Sequence, residues 1–356
     1  MKAVSVGLNL PRQKGFHLRR GDRKSDIVYS AGIRALQFAV FIFLLSVIVF
    51  VLARLSPGDP LAAYYGEAVE HMSTAQKDAA AARLSLDRPI IEQYIAWLKG
   101  ALHGDFGISY QYKQPVTDVI GKLWPNTLAL GGLAYVSTFA LSIPLGIFCA
   151  SRGGSFADRA LCRVGAASSV VPAFFIALIF ILVFAVGLHI LPSGGAYSLG
   201  GGGAADRAIH LVMPVAVMII SHLWYYSYMI RGKIIEELHK DYVLLLRVKG
   251  LSRTRILYRH CLKNALPMLV TIMAVSVPHI IAGTYVVELV FGYPGLGTLT
   301  FESARLHDYN MLSVMTLLTG AVVIAANIAG QEISELLDPR MRHDFEMSVD
   351  DEEVAV

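Results

Sequence analysis

Long uncharged stretches recur along this chain, and they constrain its fold more than any other feature. Residues 35–53, ALQFAVFIFLLSVIVFVLA, carry no charge and would span about 28 Å as a helix, close to the thickness of a bilayer's hydrocarbon core. Charged residues make up only 16% of the sequence, against about 25% in soluble domains. The sequence therefore predicts an all-α integral membrane protein with six transmembrane helices. The other five stretches are residues 126–150, 166–190, 209–230, 268–291 and 311–333.

Basic residues are distributed unevenly among the connections between these stretches. Nine lysines and arginines lie between Arg231 and Lys263, whereas the connections after the third and fifth stretches carry only Arg207 and Arg305. The N-terminal tail is also rich in basic residues. Because loops rich in lysine and arginine stay in the cytoplasm, we expect both termini and the loop after the fourth stretch to be cytoplasmic. The first stretch has no cleavage pattern after it and is expected to be retained.

The chain divides into a membrane region and two polar tails. Residues 1–33 form a basic tail without apolar periodicity, residues 343–356 form an acidic tail, and residues 34–342 hold the six stretches. The exported segment 55–125 contains a capping-box pair, Ser73 and Gln76, and prolines at two expected helix starts. We expect short helices that lie across the outer mouth of the bundle. The second of these prolines, Pro115, is expected to start a short amphipathic turn.

The polar segment 241–267, DYVLLLRVKGLSRTRILYRHCLKNALP, has an ordered pattern between two apolar stretches. The fourth helix is expected to continue to Arg247, Gly250 can take the left-handed conformation that ends a helix, and Ser252 can cap the next helix. Pro267 is expected to precede the fifth span. A helix resting on anionic lipid and a helix–corner–helix element that docks onto a partner both fit this pattern. The second helix would present a basic face made of Arg255, Arg259 and Lys263.

This segment resembles the EAA-type loop of ABC importer permeases, in particular the branch that imports oligopeptides, dipeptides and nickel. The matching positions are Asp241, Tyr242, Val243, Arg247, Gly250, Asn264, Ala265 and Pro267. Strings similar to that family follow one another along residues 34–342: RLSPGDP after the first stretch, GDFGISY at 104–110, ELVFGYPGLG at 288–297, DYNML at 308–312 and DPRMR at 338–342. Leu244-Leu245-Leu246 replaces the Glu-Ala-Ala that names the loop, and Pro267 stands one residue early.

The resemblance implies a permease subunit of an ABC importer with the type I permease fold, in the cytoplasmic membrane of a prokaryote. Its partners would be a second homologous permease, two ABC ATPase subunits and an extracytoplasmic solute-binding protein. The loop 231–267 would hold the coupling helix that docks onto an ATPase, so that ATPase closure drives alternating access. The residues implied in this coupling are Asp241, Arg247, Lys249, Gly250, Leu251, Ser252 and Arg255.

The chain carries no recognisable motif for covalent chemistry or for a cofactor. The sequence contains no G-x-x-x-x-G-K-[ST], H-E-x-x-H or G-x-S-x-G string and no cysteine–histidine cluster with zinc spacing. We therefore expect a pore-forming subunit that is not an enzyme and binds no cofactor or metal of its own, with ATP hydrolysis in separate subunits. The net charge of +4 reflects the asymmetry of the loops and does not indicate a nucleic-acid partner.

Polar residues inside apolar stretches are candidates for the pathway, because a charge at the bilayer centre costs about 2.5–3.5 kcal/mol. The candidates are His222, His279 and Glu288, followed by Pro294 and Gly295 in a turn that could act as a gate. Structural roles stay open: a neutral histidine in a bundle often makes one interhelical hydrogen bond, and Glu288 can accept hydrogen bonds from the following turn. The connector 291–310 is expected to form an outer gate or a short helix that dips toward the pathway, and contact with a substrate-delivering protein is an equal alternative.

Several functions fit these observations to different degrees. A di- or oligopeptide is the favoured substrate, and nickel or a nickel chelate is the alternative, since histidine is a good nickel ligand. A secondary transporter without an ATPase and a membrane anchor for another complex are alternatives from other classes. Co-purification with an ATPase would separate the importer from the secondary transporter, and solute flux would separate both from the anchor.

Overall fold

The computed structural model describes residues 23–55, 60–83, 86–168 and 170–338. Within these ranges the secondary structure is helical, apart from an isolated bridge between Ile108 and Pro115. Most of the basic tail, the acidic tail and part of the RLSPGDP string lie outside the described residues. The first helix, α1 (Arg23–Leu55), begins within the region expected to be the basic tail.

Within the described residues, five helices are long and apolar enough to cross a membrane, and they coincide with five of the six predicted stretches. They are the Gly32–Leu55 part of α1, α5 (Val116–Ser151), α8 (Ala204–Leu238), the helix Arg253–Phe291 and α13 (Tyr309–Leu337). The helix Arg253–Phe291 consists of α10 (Arg253–Ile256), a π-helical turn (Leu257–Cys261) and α11 (Leu262–Phe291).

The third predicted span, residues 166–190, is a broken helix. It comprises the end of α6 (Phe156–Ser168), α7 (Ala173–Phe180) and a π-helical continuation (Ile181–Gly187), with a bend of 103°. Pro172 precedes α7 in an extended conformation (ψ 138°), and a proline disfavours the helical conformation of the residue before it. If this bent pair is one span, the described chain has up to six spans.

The start of α5 differs from the sequence expectation. A short amphipathic turn after Pro115 was expected to be separate from the second span, but the two form one helix of 36 residues. The reason is packing: Val116 and Val119 are buried against Leu299 and Met311, so this turn continues into the bundle instead of lying apart. The same helix contains Pro125 and Pro144 without ending.

Pro267 was expected to precede the fifth span, but it lies inside the spanning helix α11. Prolines are tolerated in spanning helices where neighbouring groups re-satisfy the backbone. The Ser334 hydroxyl donates a hydrogen bond of 3.0 Å to the carbonyl oxygen of Pro267 and so ties α13 to α11.

The segment 55–125, which is expected to be exported, contains the predicted helices. α3 (Thr74–Arg83) follows the expected capping box, in which Ser73 N–H donates to Gln76 Oε1 at 2.9 Å and Gln76 N–H donates to Ser73 Oγ at 3.4 Å. α4 (Ile90–Leu102) begins after Pro89 and packs against α1. Before them lie α2 (Pro60–Tyr65) and a 3₁₀ helix (Gly66–His71).

The core of the bundle forms where α5, α8 and α11 meet. A Cβ atom on Gly146 would lie 2.8 Å from the carbonyl oxygen of Ser227, so α5 and α8 approach each other as closely as only glycine permits. The Ser142 hydroxyl donates a hydrogen bond of 3.2 Å to the Leu223 carbonyl across the same contact. A second, smaller apolar cluster joins the start of α5 to α12 (Leu296–Arg305) and α13.

Candidate functional site

The connection between α8 and α10 forms a rigid corner. α8 ends at Leu238, so the expectation that this helix continues to Arg247 was wrong: the extended Lys240 (ψ 150°) separates it from α9 (Asp241–Val248). Gly250 is left-handed (φ 79°), as predicted, and ends α9. Ser252 caps α10 as predicted, with its hydroxyl oxygen accepting from Arg255 N–H at 3.4 Å. We call residues 239–256 the corner loop.

Buried contacts hold the corner loop against the ends of α8 and α11. The Tyr242 hydroxyl donates a hydrogen bond of 2.7 Å to Glu237 Oε1, and its oxygen lies 3.5 Å from Cys261 Sγ. Burial, together with the interactions with Cys261 and Glu237, raises the pKa of Tyr242. Lys240 forms an ion pair of 2.5 Å with the buried Glu237. Val243 is also buried in the core. The corner loop is therefore fixed to the helices that cross the membrane.

The exposed surface of the corner loop combines apolar and basic side chains. Leu244, Leu245 and Val248 are 64%, 54% and 79% exposed. Leu251, one of the predicted coupling residues, lies half-buried against the core, and its role in coupling stays a prediction. The sequence interpretation did not single out Val248, although its spacing from Leu244 places both on one face of α9. The remaining predicted coupling residues on this surface are exposed: Asp241, Arg247, Lys249, Gly250, Ser252 and Arg255.

An ion pair that the sequence did not reveal joins α6 to α8 before the corner loop. Arg231 Nε and Nη2 lie 2.5 and 2.8 Å from the two carboxylate oxygens of Asp158, which also accepts from Gly154 N–H at 2.9 Å. The Asp158 side chain is buried, whereas Arg231 keeps 21% of its side-chain surface. This two-pronged geometry is the strongest form of arginine–carboxylate pairing.

At the far end of α11, the carboxylate of Glu288 organises the following turn. It accepts hydrogen bonds from Thr127 Oγ1 (2.6 Å), Gly297 N–H (2.7 Å) and Thr298 N–H (3.3 Å), and it is fully buried. A Cβ atom on Gly295 would overlap this carboxylate. These contacts agree with the structural role that the sequence analysis left open for Glu288, in which its carboxylate accepts hydrogen bonds from the following turn. We call residues 288–298 the Glu288 turn.

The predicted gate residue Pro294 is bound to α5. Its carbonyl oxygen accepts a hydrogen bond of 2.8 Å from Asn126 Nδ2, next to the Thr127 hydroxyl that accepts from Leu296 N–H at 2.7 Å. The Glu288 turn thus joins α5, α11 and α12 at one point. A gating role for Pro294 and Gly295 stays a prediction.

The GDFGISY string docks onto the corner between α12 and α13. The hydroxyl of Ser109 donates to the fully buried carboxylate of Asp308, which also accepts from Gln111 N–H at 3.1 Å and caps α13 through Met311 N–H at 3.2 Å. Tyr112 donates a hydrogen bond of 3.0 Å to Glu302. Burial, and then the interaction with Glu302, raises the pKa of Tyr112 to about 12. Two of the family-like strings therefore meet in space.

The two predicted pathway histidines lie next to each other. The His222 ring makes a hydrogen bond of 2.8 Å with the Met218 carbonyl of its own helix, stacks on Tyr226 and contacts the backbone of His279. His279 itself is exposed on α11. Among the residues that the structure describes, no three His, Cys, Asp or Glu side chains come close enough together to hold a metal ion.

A cavity of about 440 Å³ lies between α5, α11, α13 and the start of α12. Its wall is apolar except for hydroxyl groups. These hydroxyls are already paired: Thr127 donates to Glu288, Thr284 donates to the Ile280 carbonyl at 2.7 Å, and the Tyr285 and Thr319 hydroxyls lie 2.7 Å apart. The cavity borders the Glu288 turn and carries no charged side chain on its wall.

These features define a polytopic membrane protein whose spanning helices are tied to a rigid loop at one end and to a buried carboxylate turn at the other. Residues 142–343 match the family described as binding-protein-dependent transport system inner membrane component, and residues 32–131 match the N-terminal region of such membrane components. The chain belongs to this family, the inner-membrane permease subunits of ABC importers.

Relatives from several bacteria cover most of the chain. The oligopeptide transport system permease protein AppB of Bacillus subtilis is 31% identical over 84% of this chain and 94% of the relative. The oligopeptide permease OppB of Haemophilus influenzae is 32% identical over 87% and 98%, and OppB of Escherichia coli K12 is 31% identical over the same shares. A chain from an inward-facing crystal form of the MetNI methionine ABC transporter has 17% identity and a TM-score of 0.50. It covers 62% of this chain and 96% of its own length, which shows a shared fold.

Proposed function

We propose that this chain is the pore-forming permease of an ABC importer that moves di- or oligopeptides across the cytoplasmic membrane. The support for a peptide substrate is that relatives named as oligopeptide permeases are 31–32% identical over 84–87% of the chain. The chain would not hydrolyse ATP itself, since its sequence lacks a phosphate-binding loop. That reaction belongs to separate subunits, and the chain would need no cofactor of its own.

The coupling step rests on one observation: a single helix, Arg253–Phe291, leads from the corner loop to the Glu288 turn. The exposed apolar face of α9 and the basic residues beside it suit docking into a groove on an ATPase. Because Tyr242 and Lys240 tie α9 to Glu237, a force applied to the corner loop would move the spanning helices with it. Closure of the ATPases would then turn the pathway from one side of the membrane to the other.

The assembly proposed around this chain has the composition implied by the resemblance. A second homologous permease would complete the pore, two ATPases would dock on the cytoplasmic loops, and a solute-binding protein would deliver the substrate from outside. The cavity between α5, α11 and α13 would face the pathway, with the Glu288 turn at its outer end. Both termini and the corner loop would be cytoplasmic, in agreement with the distribution of basic residues.

A nickel or nickel-chelate importer is the second candidate. The observation in its favour is that His222 contacts the backbone of His279, so two potential nickel ligands lie on adjacent helices. A secondary transporter is less well supported, because it would have no use for the exposed apolar surface on α9.

Two measurements test these proposals. Uptake of a labelled dipeptide and of radioactive nickel is compared in a strain that lacks this gene, with re-expression as the control. Loss of dipeptide uptake alone supports the peptide proposal, and loss of nickel uptake alone replaces it with the second candidate. If neither changes, this chain is not the importer of either solute.

Coupling is tested by co-purification of an ATPase with the variant Leu244→Asp. A charge at the centre of the exposed apolar surface should abolish both ATPase binding and uptake. The matched control is Leu199→Asp, because Leu199 is fully exposed in the connection before α8, remote in sequence from the corner loop. ATPase retained by Leu244→Asp at the wild-type level would contradict docking on α9.

A further inference from the structure

Helix α4 has an apolar surface that is wider than its contact with the rest of the chain. The rings of Tyr94 and Trp97 pack on Phe50 of α1, with centroid distances of 5.3 and 5.8 Å. The adjacent apolar side chains turn away from α1 and from the bundle. Ile91, Ile95 and Leu102 are 72%, 45% and 78% exposed. The charged residues Glu92 and Lys99 share one edge of this apolar face, about 60–80° around the helix axis from its centre, since each residue turns a helix by about 100°.

The depth of α4 follows from its partners on α1. The spanning part Gly32–Leu55 has 24 residues and is about 36 Å long, whereas the hydrocarbon core is about 30 Å thick. Ser46 lies nine residues before Leu55. If α1 is centred, the Ser46 side chain therefore lies about 10 Å inside the hydrocarbon boundary. The Tyr94 hydroxyl is 2.8 Å from Ser46 Oγ, so it lies at the same depth.

The hydrogen bonds at this contact are complete without water. The Ser46 hydroxyl donates to the Phe43 carbonyl at 2.7 Å, which leaves Ser46 Oγ to accept from the Tyr94 hydroxyl. A buried tyrosine needs such a partner, and here the spanning helix itself supplies it. This arrangement is what a tyrosine requires in hydrocarbon.

The neighbouring spanning helix α1 also exposes apolar side chains, on a side turned away from its contact with α4. Leu44, Ile48 and Leu52 of α1 are 50%, 55% and 61% exposed. They lie within the hydrocarbon core, and α4 packs against α1 inside the same layer. In-plane amphipathic helices bury their apolar face about 5–10 Å below the boundary. A tyrosine side chain on such a helix can reach the depth of Ser46.

We propose that α4 is a membrane-embedded interfacial helix whose Ile91–Ile95–Leu102 face contacts lipid acyl chains. Glu92 and Lys99 lie at the level of the headgroups. The polar segment between the first two spans is thus anchored in one leaflet alongside α1, on whichever side of the membrane Leu55 lies. This inference needs only the membrane location of the chain and is independent of its substrate and of ATPase coupling.

The test is site-specific photo-crosslinking of the full chain in its membrane. Benzoylphenylalanine replaces Ile91 in one variant, Lys99 in a second and Ile48 in a third, and the products are identified by mass spectrometry. Lys99 is the matched control because it lies at the charged edge of the same helix, about 80° around its axis from Ile91, and Ile48 reports an exposed position on a spanning helix. The yield of lipid adduct at position 91 should equal that at position 48 and exceed that at position 99 several-fold.

Three outcomes would overturn the inference. Adducts at position 91 with another protein chain, such as a second permease or a binding protein, would assign this face to a protein interface. Equal lipid yields at positions 91 and 99 would mean that α4 has no lipid-facing side. Absence of any adduct at position 91, with lipid adducts at position 48, would place the face in water.

Discussion

The carboxylate of Glu288, at the end of α11, accepts a hydrogen bond of 2.7 Å from the backbone N–H of Gly297, near the start of α12. Since Thr127 of α5 donates to the same carboxylate, one buried side chain fixes three helices relative to one another. The continuous helix Arg253–Phe291 connects this point with the corner loop. A displacement at one end of that helix can therefore reach the other without passing through a flexible segment.

The first prediction concerns the space beside Glu288. In Gly295→Ala the new Cβ atom would overlap the carboxylate, so the hydrogen bonds to Gly297 and Thr298 must lengthen. Overpacking of this kind costs about 1–3 kcal/mol. We expect a lower midpoint of thermal unfolding in detergent micelles and reduced uptake.

The matched control for this variant is Gly232→Ala in α8. A Cβ atom there would meet nothing within 4 Å, and alanine favours a helix over glycine by about 0.5–1 kcal/mol. Its unfolding midpoint should be equal to or above that of the wild type. Equal midpoints for the two variants would show that the Glu288 turn is not tightly packed.

The second prediction concerns the pair Asp158 and Arg231. In Arg231→Ala, the buried Asp158 carboxylate keeps one hydrogen-bond donor among the described residues, the Gly154 N–H. Removing one partner of a buried pair costs about 3–5 kcal/mol, and the partial exposure of Arg231 places the expected loss near the lower limit. Asp158→Asn instead removes the charge that pairs with Arg231. Because Arg231 is partly exposed, this variant should lower the stability of the fold less than Arg231→Ala does.

Thermal unfolding of the two single variants and of the double variant measures this coupling. The double variant should lose less stability than the sum of the single losses, because neither charge is then left alone. Strict additivity, or a larger effect for Asp158→Asn than for Arg231→Ala, would contradict the ion pair as described.

The third prediction is a pH dependence at Tyr112. Its pKa is raised to about 12 in the folded chain, first by burial and then by Glu302, from an ordinary value of 10. The protonated phenol is therefore favoured by folding. Its contribution to stability is complete below about pH 10 and is lost as the pH rises through about 12.

Unfolding midpoints at about pH 9 and about pH 11.5 test this dependence. The wild type should lose more stability over this interval than Tyr112→Phe, which lacks the titrating hydroxyl. Tyr197→Phe, at an exposed position remote from Glu302, is the control and should keep the wild-type profile. Identical profiles for the wild type and Tyr112→Phe would mean that folding does not raise the pKa of Tyr112.

Local features were predictable from the sequence, and features that depend on distant partners were not. Gly250 and Ser252 form the predicted corner because a left-handed turn and a helix cap are determined by neighbouring residues. Hydropathy located the spans, because lipid selects for uncharged helices of a given length. It could not show that the third span bends at Pro172, since a bend does not change the apolar character of a stretch.

The contacts that hold the sites together required the structure. Asp158 and Arg231 are 73 residues apart, and no spacing rule pairs them. The same is true of Ser109 and Asp308, although both lie in strings that resemble the family. The length of α8 was misjudged because the apolar character of Leu244–Leu246 continues past the helix end, whereas the extended Lys240 interrupts the backbone.

The last prediction concerns the corner itself. Gly250 is left-handed (φ 79°) and a Cβ atom there would meet nothing within 4 Å, so the cost of Gly250→Ala is backbone strain alone, about 1–2 kcal/mol. The chain can relieve that strain by rotating α9 relative to α10, which would move the exposed surface of α9. We therefore expect Gly250→Ala to reduce substrate uptake in proteoliposomes more than it lowers the unfolding midpoint.

Asparagine tolerates this conformation better than alanine, so Gly250→Asn should retain more uptake. Gly203→Ala is the control, because Gly203 has an ordinary φ of −65° and open space around it. Full uptake by Gly250→Ala, or a greater loss in Gly250→Asn, would show that the left-handed corner does not set the position of α9.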